Sequence, residues 1–168
     1  MLLIFLSVVS ISICYKLGDW RNWRKYYSTI LFFILTSVIF TVLTYTHPLW
    51  SYESVVINHT FTDLFMCITI YPSTVMMFIP HLPSKTAKKI LHVSIYVAIY
   101  TIAEFIATKF GYFTHYNGWN IWCSLIFNYV MFSVLILHYK KPIYGCILVL
   151  IGYNIILFIM KVPYNSIR

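Results

Sequence analysis

"ILHVSIYVAIYTIAEFIAT", residues 90–108, runs through the middle of the chain with a single formal charge, Glu104. A helix rises 1.5 Å per residue, so a run of this length crosses most of the ~30 Å hydrocarbon core of a bilayer. Nothing in that core replaces a missing backbone hydrogen bond, and the run lacks the period-2 alternation of a barrel strand. It reads as a transmembrane α-helix.

Five further apolar runs share the pattern, at about 2–17, 26–46, 61–79, 119–138 and 143–160. The expected fold is therefore an all-α membrane protein, one domain over 1–168, built as a bundle of six transmembrane helices. The first and last runs are short and rely on Lys16 and Lys161 snorkelling to the interface. Five crossings result if the last run does not span. "MLLIFLSVVSISICYK" has no basic leader and no small-residue cleavage site, so it reads as a retained first helix.

Composition agrees. The 168 residues are 61% hydrophobic, 20% aromatic and only 10% charged, with mean hydropathy +0.81. Soluble domains carry about 25% charged residues, a gap too wide for a buried core to explain. The net charge of +8 sits in short runs between apolar segments rather than along a groove. That is topological patterning and excludes nucleic acid as a partner. The lipid bilayer is the expected partner, and a homo-oligomer or another membrane protein is a further one. Cys14, Cys67, Cys123 and Cys146 occur singly in apolar runs, with no CxxC pair, and read as small hydrophobes.

Orientation follows from the connections. The first, third and fifth hold nine Lys and Arg residues; the second, the fourth and the tail hold three. The bias expects the odd-numbered connections in the cytoplasm and both termini outside. In the first connection, "KLGDWRNWRKYY" sets Trp20, Trp23 and Tyr27 beside Arg21, Arg24 and Lys25. These read as interface anchors, on a short helix lying in the headgroup region.

The informative residues are those a membrane rejects. An ionised side chain costs at least ~2.5 kcal/mol at the centre of a transmembrane helix, yet Asp63 and Glu104 lie within apolar runs. Steps of four place each on a polar stripe: His59, Asp63, Cys67 and Tyr71; His92, Tyr96, Tyr100 and Glu104; Asn120, Ser124 and Asn128. Three such stripes must face one another or a wet cavity. Asp63, Glu104, His59, His115, Asn120, Asn128 and Tyr100 are the candidate cavity residues, all toward the outer half.

"FGYFTHYNGWNIW", residues 110–122, is the outer loop above them. Gly111 and Gly118 permit turns, Trp119 and Trp122 are expected near the outer interface, and His115, Asn117 and Asn120 are placed to close over the cavity. His59 and Asp63, with Glu104 and His115, form a weak metal-ligand set without HExxH-type spacing. Pro72 is expected to kink the third helix. No sequence feature names a cofactor.

"GDWRNWRKYY", "NHTFTDL", "YPSTV" with "FIPHLP", "GYFTHYNGWN" and "LHYKKP" together resemble an uncharacterised family of small multi-pass membrane proteins from spore-forming Gram-positive bacteria. The resemblance runs from about 15 to 145. It implies a bacterial plasma-membrane location and carries no activity, substrate or catalytic residue. Three functions fit the residues. One is binding or passage of a small polar solute or cation through the outer-half cavity. The second is a structural or assembly subunit whose polar stripes fix packing. The third is an enzyme acting on a lipid or isoprenoid, with Glu104 or Asp63 as general acid and His115 or His59 as partner.

Overall fold

The computed structural model describes residues 2–53 and 59–163, with side chains described for 4–53 and 61–163. Six helices dominate: α1 (Leu2–Leu17), α2 (Trp23–Leu43), α3 (His59–Phe78), α4 (Thr86–Lys109), α5 (Ile121–Lys140) and α6 (Pro142–Ile159). α2 to α6 are long and apolar enough to cross a membrane, and α1 is a shorter apolar helix. The chain is an all-α bundle that fits a multi-pass membrane protein.

The packing has two centres. α3 lies against α1 and α2, α5 lies against α4 and α6, and α2 joins the halves by touching α5. Aromatic side chains fill the junction: Phe78 and Phe132 are fully enclosed, with ring centroids 4.9 Å apart. The outward faces stay apolar and exposed, as at Ile68 (73%), Ile143 (74%) and Phe158 (79%), which suits contact with acyl chains.

Chain reversal gives the bundle two unlike ends. The basic end holds the connections α1–α2, α3–α4 and α5–α6. Here Asp19 accepts from Asn22 Nδ2 at 3.1 Å and from the Tyr26 hydroxyl at 2.8 Å. The Tyr26 hydroxyl, more than any other neighbour, holds this carboxyl below the usual carboxylate range. These bonds wind 19–26 directly into α2, through one 3₁₀ turn at Trp20–Asn22. The separate interfacial helix expected there is absent among the described residues. Trp20 (51%) and Trp23 (45%) nevertheless stay exposed beside Arg21, Arg24 and Lys25. His92 Nε2 donates to the Phe78 carbonyl at 3.0 Å, so this histidine caps the end of α3. Pro72 lies within an unbroken α3. Beside it the Thr69 and Ser73 hydroxyls each donate, at 2.7 Å, to the carbonyl four residues back.

The other end holds the α2–α3 and α4–α5 connections, and these are not simple loops. β1 (Trp50–Tyr52) pairs antiparallel with β2 (Phe113–His115), setting Trp50 opposite His115, Ser51 opposite Thr114 and Tyr52 opposite Phe113. Asn117 (φ 51) and Gly118 (φ 83) follow β2, closed by the Trp119 N–H donating to the Tyr116 carbonyl at 2.9 Å. Two consecutive positive φ values are what an Asn-Gly pair accepts with little strain. Asn117 Nδ2 then donates to the Pro48 carbonyl at 2.7 Å, fastening the two connections together.

Candidate functional site

Period-2 geometry decides what the ribbon does. Trp50, Tyr52, Phe113 and His115 share one face, and that face meets the bundle. Trp50 stacks on Phe40 at 5.2 Å and meets the tilted Trp119 ring at 5.1 Å. Phe113 is buried, with the Tyr52 ring edge-on at 5.1 Å. Beside this aromatic layer the two polar members of the face reach the acids of the helices.

His115 Nε2 lies 2.7 Å from Glu104 Oε1, with both side chains about 15% exposed (16% and 15%). The same oxygen accepts from the Ser124 hydroxyl at 2.5 Å. Ser124 in turn accepts from Trp119 Nε1 at 2.8 Å. Glu104 on α4 is thus held from the ribbon by His115 and from α5 by Ser124. Hydrogen bonds to a charged group are worth ~1.5–3 kcal/mol each, enough to offset part of the cost of lodging an acid in the bundle.

Asp63 is buried on α3 and accepts from the Thr41 hydroxyl of α2 at 2.9 Å. Below it Ser37 donates to the Tyr71 hydroxyl at 3.2 Å, and Tyr71 stacks on Phe33 at 4.3 Å. The Tyr100 hydroxyl bonds Thr74 at 2.7 Å, linking α4 to α3. Tyr52 enters this group from above. The residue is half-buried. Burial, most of all, pushes that phenol well above its usual range, and Tyr71, Asp63, Glu104 and Tyr100 push the same way.

Of the residues singled out from the sequence, Glu104 meets His115, Asp63 meets Thr41 and Tyr100 meets Thr74. Asn128 lies deeper, buried on α5, with a long bond to Thr101 at 3.4 Å. Asn120 stands apart and exposed. It sits one residue before α5, so its side chain accepts from the N–H groups of Trp122 (3.0 Å) and Cys123 (3.2 Å) as an N-cap. His59 begins α3, and its side chain lies outside the described residues. Trp119, expected at the interface, is instead buried, because its indole bonds Ser124 and its ring packs on Trp50; Trp122 is 71% exposed.

Among the described residues no three His, Cys, Asp or Glu side chains gather in a metal-binding group. All four cysteines are free thiols. Tyr52, Thr41 and Trp119 are the site residues that sequence reading missed. The signal for Tyr52 was its alternation with Trp50, too short to stand out from a loop.

Fold and site define a class: a helical bundle that fits a multi-pass membrane protein, with two acids on its apolar helices and a histidine-bearing ribbon at one end. No family model matches the chain, and neither a curated protein nor a solved structure does.

Proposed function

We propose that this multi-pass protein of a bacterial plasma membrane binds a small cation or cationic polar solute at Asp63 and Glu104. Entry is from the outer side, and the β1–β2 ribbon forms the closing lid. The observation that carries the reading is geometric: the ribbon sets His115 2.7 Å from Glu104 Oε1, and Asp63 is buried nearby on α3 with the Thr41 hydroxyl 2.9 Å away. Two acids, phenol oxygens and the Thr41 hydroxyl are hard oxygen donors of the kind that replace a cation's water. Buried Thr62 Oγ1, next in sequence to Asp63, has no hydrogen-bond partner and leaves a polar atom for a ligand or its water. His115 on Glu104 fastens the lid to α4. The nine-to-three bias of basic residues supports the outward placement of this end, and the motif resemblance supports the bacterial membrane.

The two bonds to Glu104 Oε1, from His115 and Ser124, favour the second reading, an assembly subunit whose polar groups only fix helix packing. One experiment separates the two. The protein in nanodiscs is heated at pH 7 with Na⁺, K⁺ or guanidinium at matched ionic strength. One of these cations should raise the unfolding temperature, because a ligand at 100 times its Kd adds about 2.7 kcal/mol to stability. Asp63→Asn and Glu104→Gln should fold to normal abundance and each lose that shift. Loss of abundance in both variants supports the packing reading. A shift that persists in both contradicts the cation site.

A further inference from the structure

The lipid-facing side of α5 and α6 carries a groove of about 330 Å³, lined by Leu137, Lys141, Tyr144, Ile147, Leu148 and Ile151. Its composition is graded along the helix. Ile147, Leu148 and Ile151 are apolar and at least two-fifths exposed, and they lead away from the basic end. At that end stand Lys141, exposed, and Tyr144, 61% exposed, with the ammonium 5.5 Å from the tyrosine ring centroid. Lys140 is adjacent and also exposed. From Lys141 to Ile151 is ten residues, or about 15 Å of helix, which is half of a ~30 Å hydrocarbon core.

We propose that this groove is a binding site for one anionic phospholipid, of the leaflet that meets the basic end. An acyl chain lies along Ile147, Leu148 and Ile151, and the phosphate sits at Lys141 with Lys140 beside it. Charge complementarity selects the occupant. A zwitterionic lipid fills the apolar trough equally well, but only a net negative headgroup answers two adjacent ammonium groups. Lys141 is also the N-cap of α6, with Pro142 at the first helical position, so the helix dipole adds to the attraction without defining the site. The Lys141–Tyr144 contact holds the ammonium at the groove mouth rather than free in solution. This site is on the opposite end of the bundle from Asp63 and Glu104 and does not depend on them.

The test is native mass spectrometry of the whole protein, released from nanodiscs of equimolar phosphatidylglycerol and phosphatidylcholine. One phosphatidylglycerol should stay bound in preference to phosphatidylcholine. Lys141→Gln should lower that preference about five-fold, the worth of one basic residue beside an anionic headgroup. Leu148→Trp, which fills the trough and leaves the charge, should lower retention of both lipids. Arg24→Gln, at the same end but away from the groove, should change neither. Unchanged preference in Lys141→Gln, or loss in Arg24→Gln instead, overturns the assignment. So does a dimer peak without bound lipid that disappears in Leu148→Trp, which assigns the groove to a second copy of the chain.

Discussion

The two ends of the bundle solve the same problem, reversing the chain, in opposite ways. At the basic end the turns are short and the polar side chains cap helices or face water: Asp19 organises the start of α2, His92 caps α3, and Lys141 opens α6. At the ribbon end the connections are longer, and they fold back onto the bundle as paired strands that carry Tyr52 and His115 to the acids. Backbone economy at one end leaves the side chains free for the interface. The extra length at the other end permits a site that helices alone do not build.

Close approach is the first feature to break. A Cβ at Gly145 would lie 2.7 Å from His138 Cβ and 2.8 Å from its Cα, whereas at Gly152, further along α6, it would meet nothing. Gly145→Ala should therefore destabilise the bundle by about 1–3 kcal/mol through overpacking, and Gly152→Ala should be close to neutral. Unfolding in mixed detergent and SDS reads both. Equal effects would erase the distinction between a tight basic end and a looser far end.

The second expected effect is on the latch. Glu104→Ala leaves Ser124 and His115 without their shared acceptor, and should cost about 1–3 kcal/mol in the same assay. Trp119→Phe removes the indole donor to Ser124 and part of the ring packed on Trp50, and should cost about 1 kcal/mol for the bond with a smaller packing loss added. If Trp119→Phe proves the more damaging, ring packing rather than the Glu104 network holds the ribbon end.

Smaller still are the helix caps. Asn120→Ala should lose about 1 kcal/mol, with no change in cation response, because its side chain serves the N-terminus of α5. Asp19 gives a pH signature at the opposite end. Its folded pKa is lowered, so its contribution is present above the unfolded carboxylate range and fades as pH falls through the folded value. Tyr26→Phe removes the main cause, brings the folded value back toward the unfolded one, and should flatten the part of the acid limb that Asp19 contributes to a stability–pH curve.

The helices were legible because a bilayer imposes a length and an apolar surface on every crossing, whatever the interior packing. Their limits were less so. α2 starts at Trp23 rather than 26 because Trp23, Arg24 and Lys25 continue the helix into the interface while counting as polar in a hydropathy reading. The stripes on α3 and α4 hold Asp63, Tyr71, Tyr100 and Glu104, whose side chains bond to neighbouring elements, since a spacing of four survives in any helix. The third stripe failed at Asn120, one position outside α5, where the same spacing no longer means the same face. The ribbon left almost no trace. Three-residue strands are too short for periodicity, and Trp50 and His115 are brought together only by the folding of the two helices between them.

That pairing is also where the account is most exposed to a direct test. Ser51 and Thr114 are Cα partners on the ribbon face opposite Tyr52 and His115. Directly opposed residues in an antiparallel pair have Cα atoms about 4.5–5.5 Å apart, within disulfide range. With the four native cysteines replaced, Ser51→Cys and Thr114→Cys together should cross-link nearly completely under mild oxidation in intact membranes. The cross-linked protein should keep its abundance, because the bond locks a geometry already present. Failure to cross-link, while Ser51→Cys paired with a cysteine elsewhere in 110–118 does so, would contradict the register that brings Tyr52 and His115 to Asp63 and Glu104.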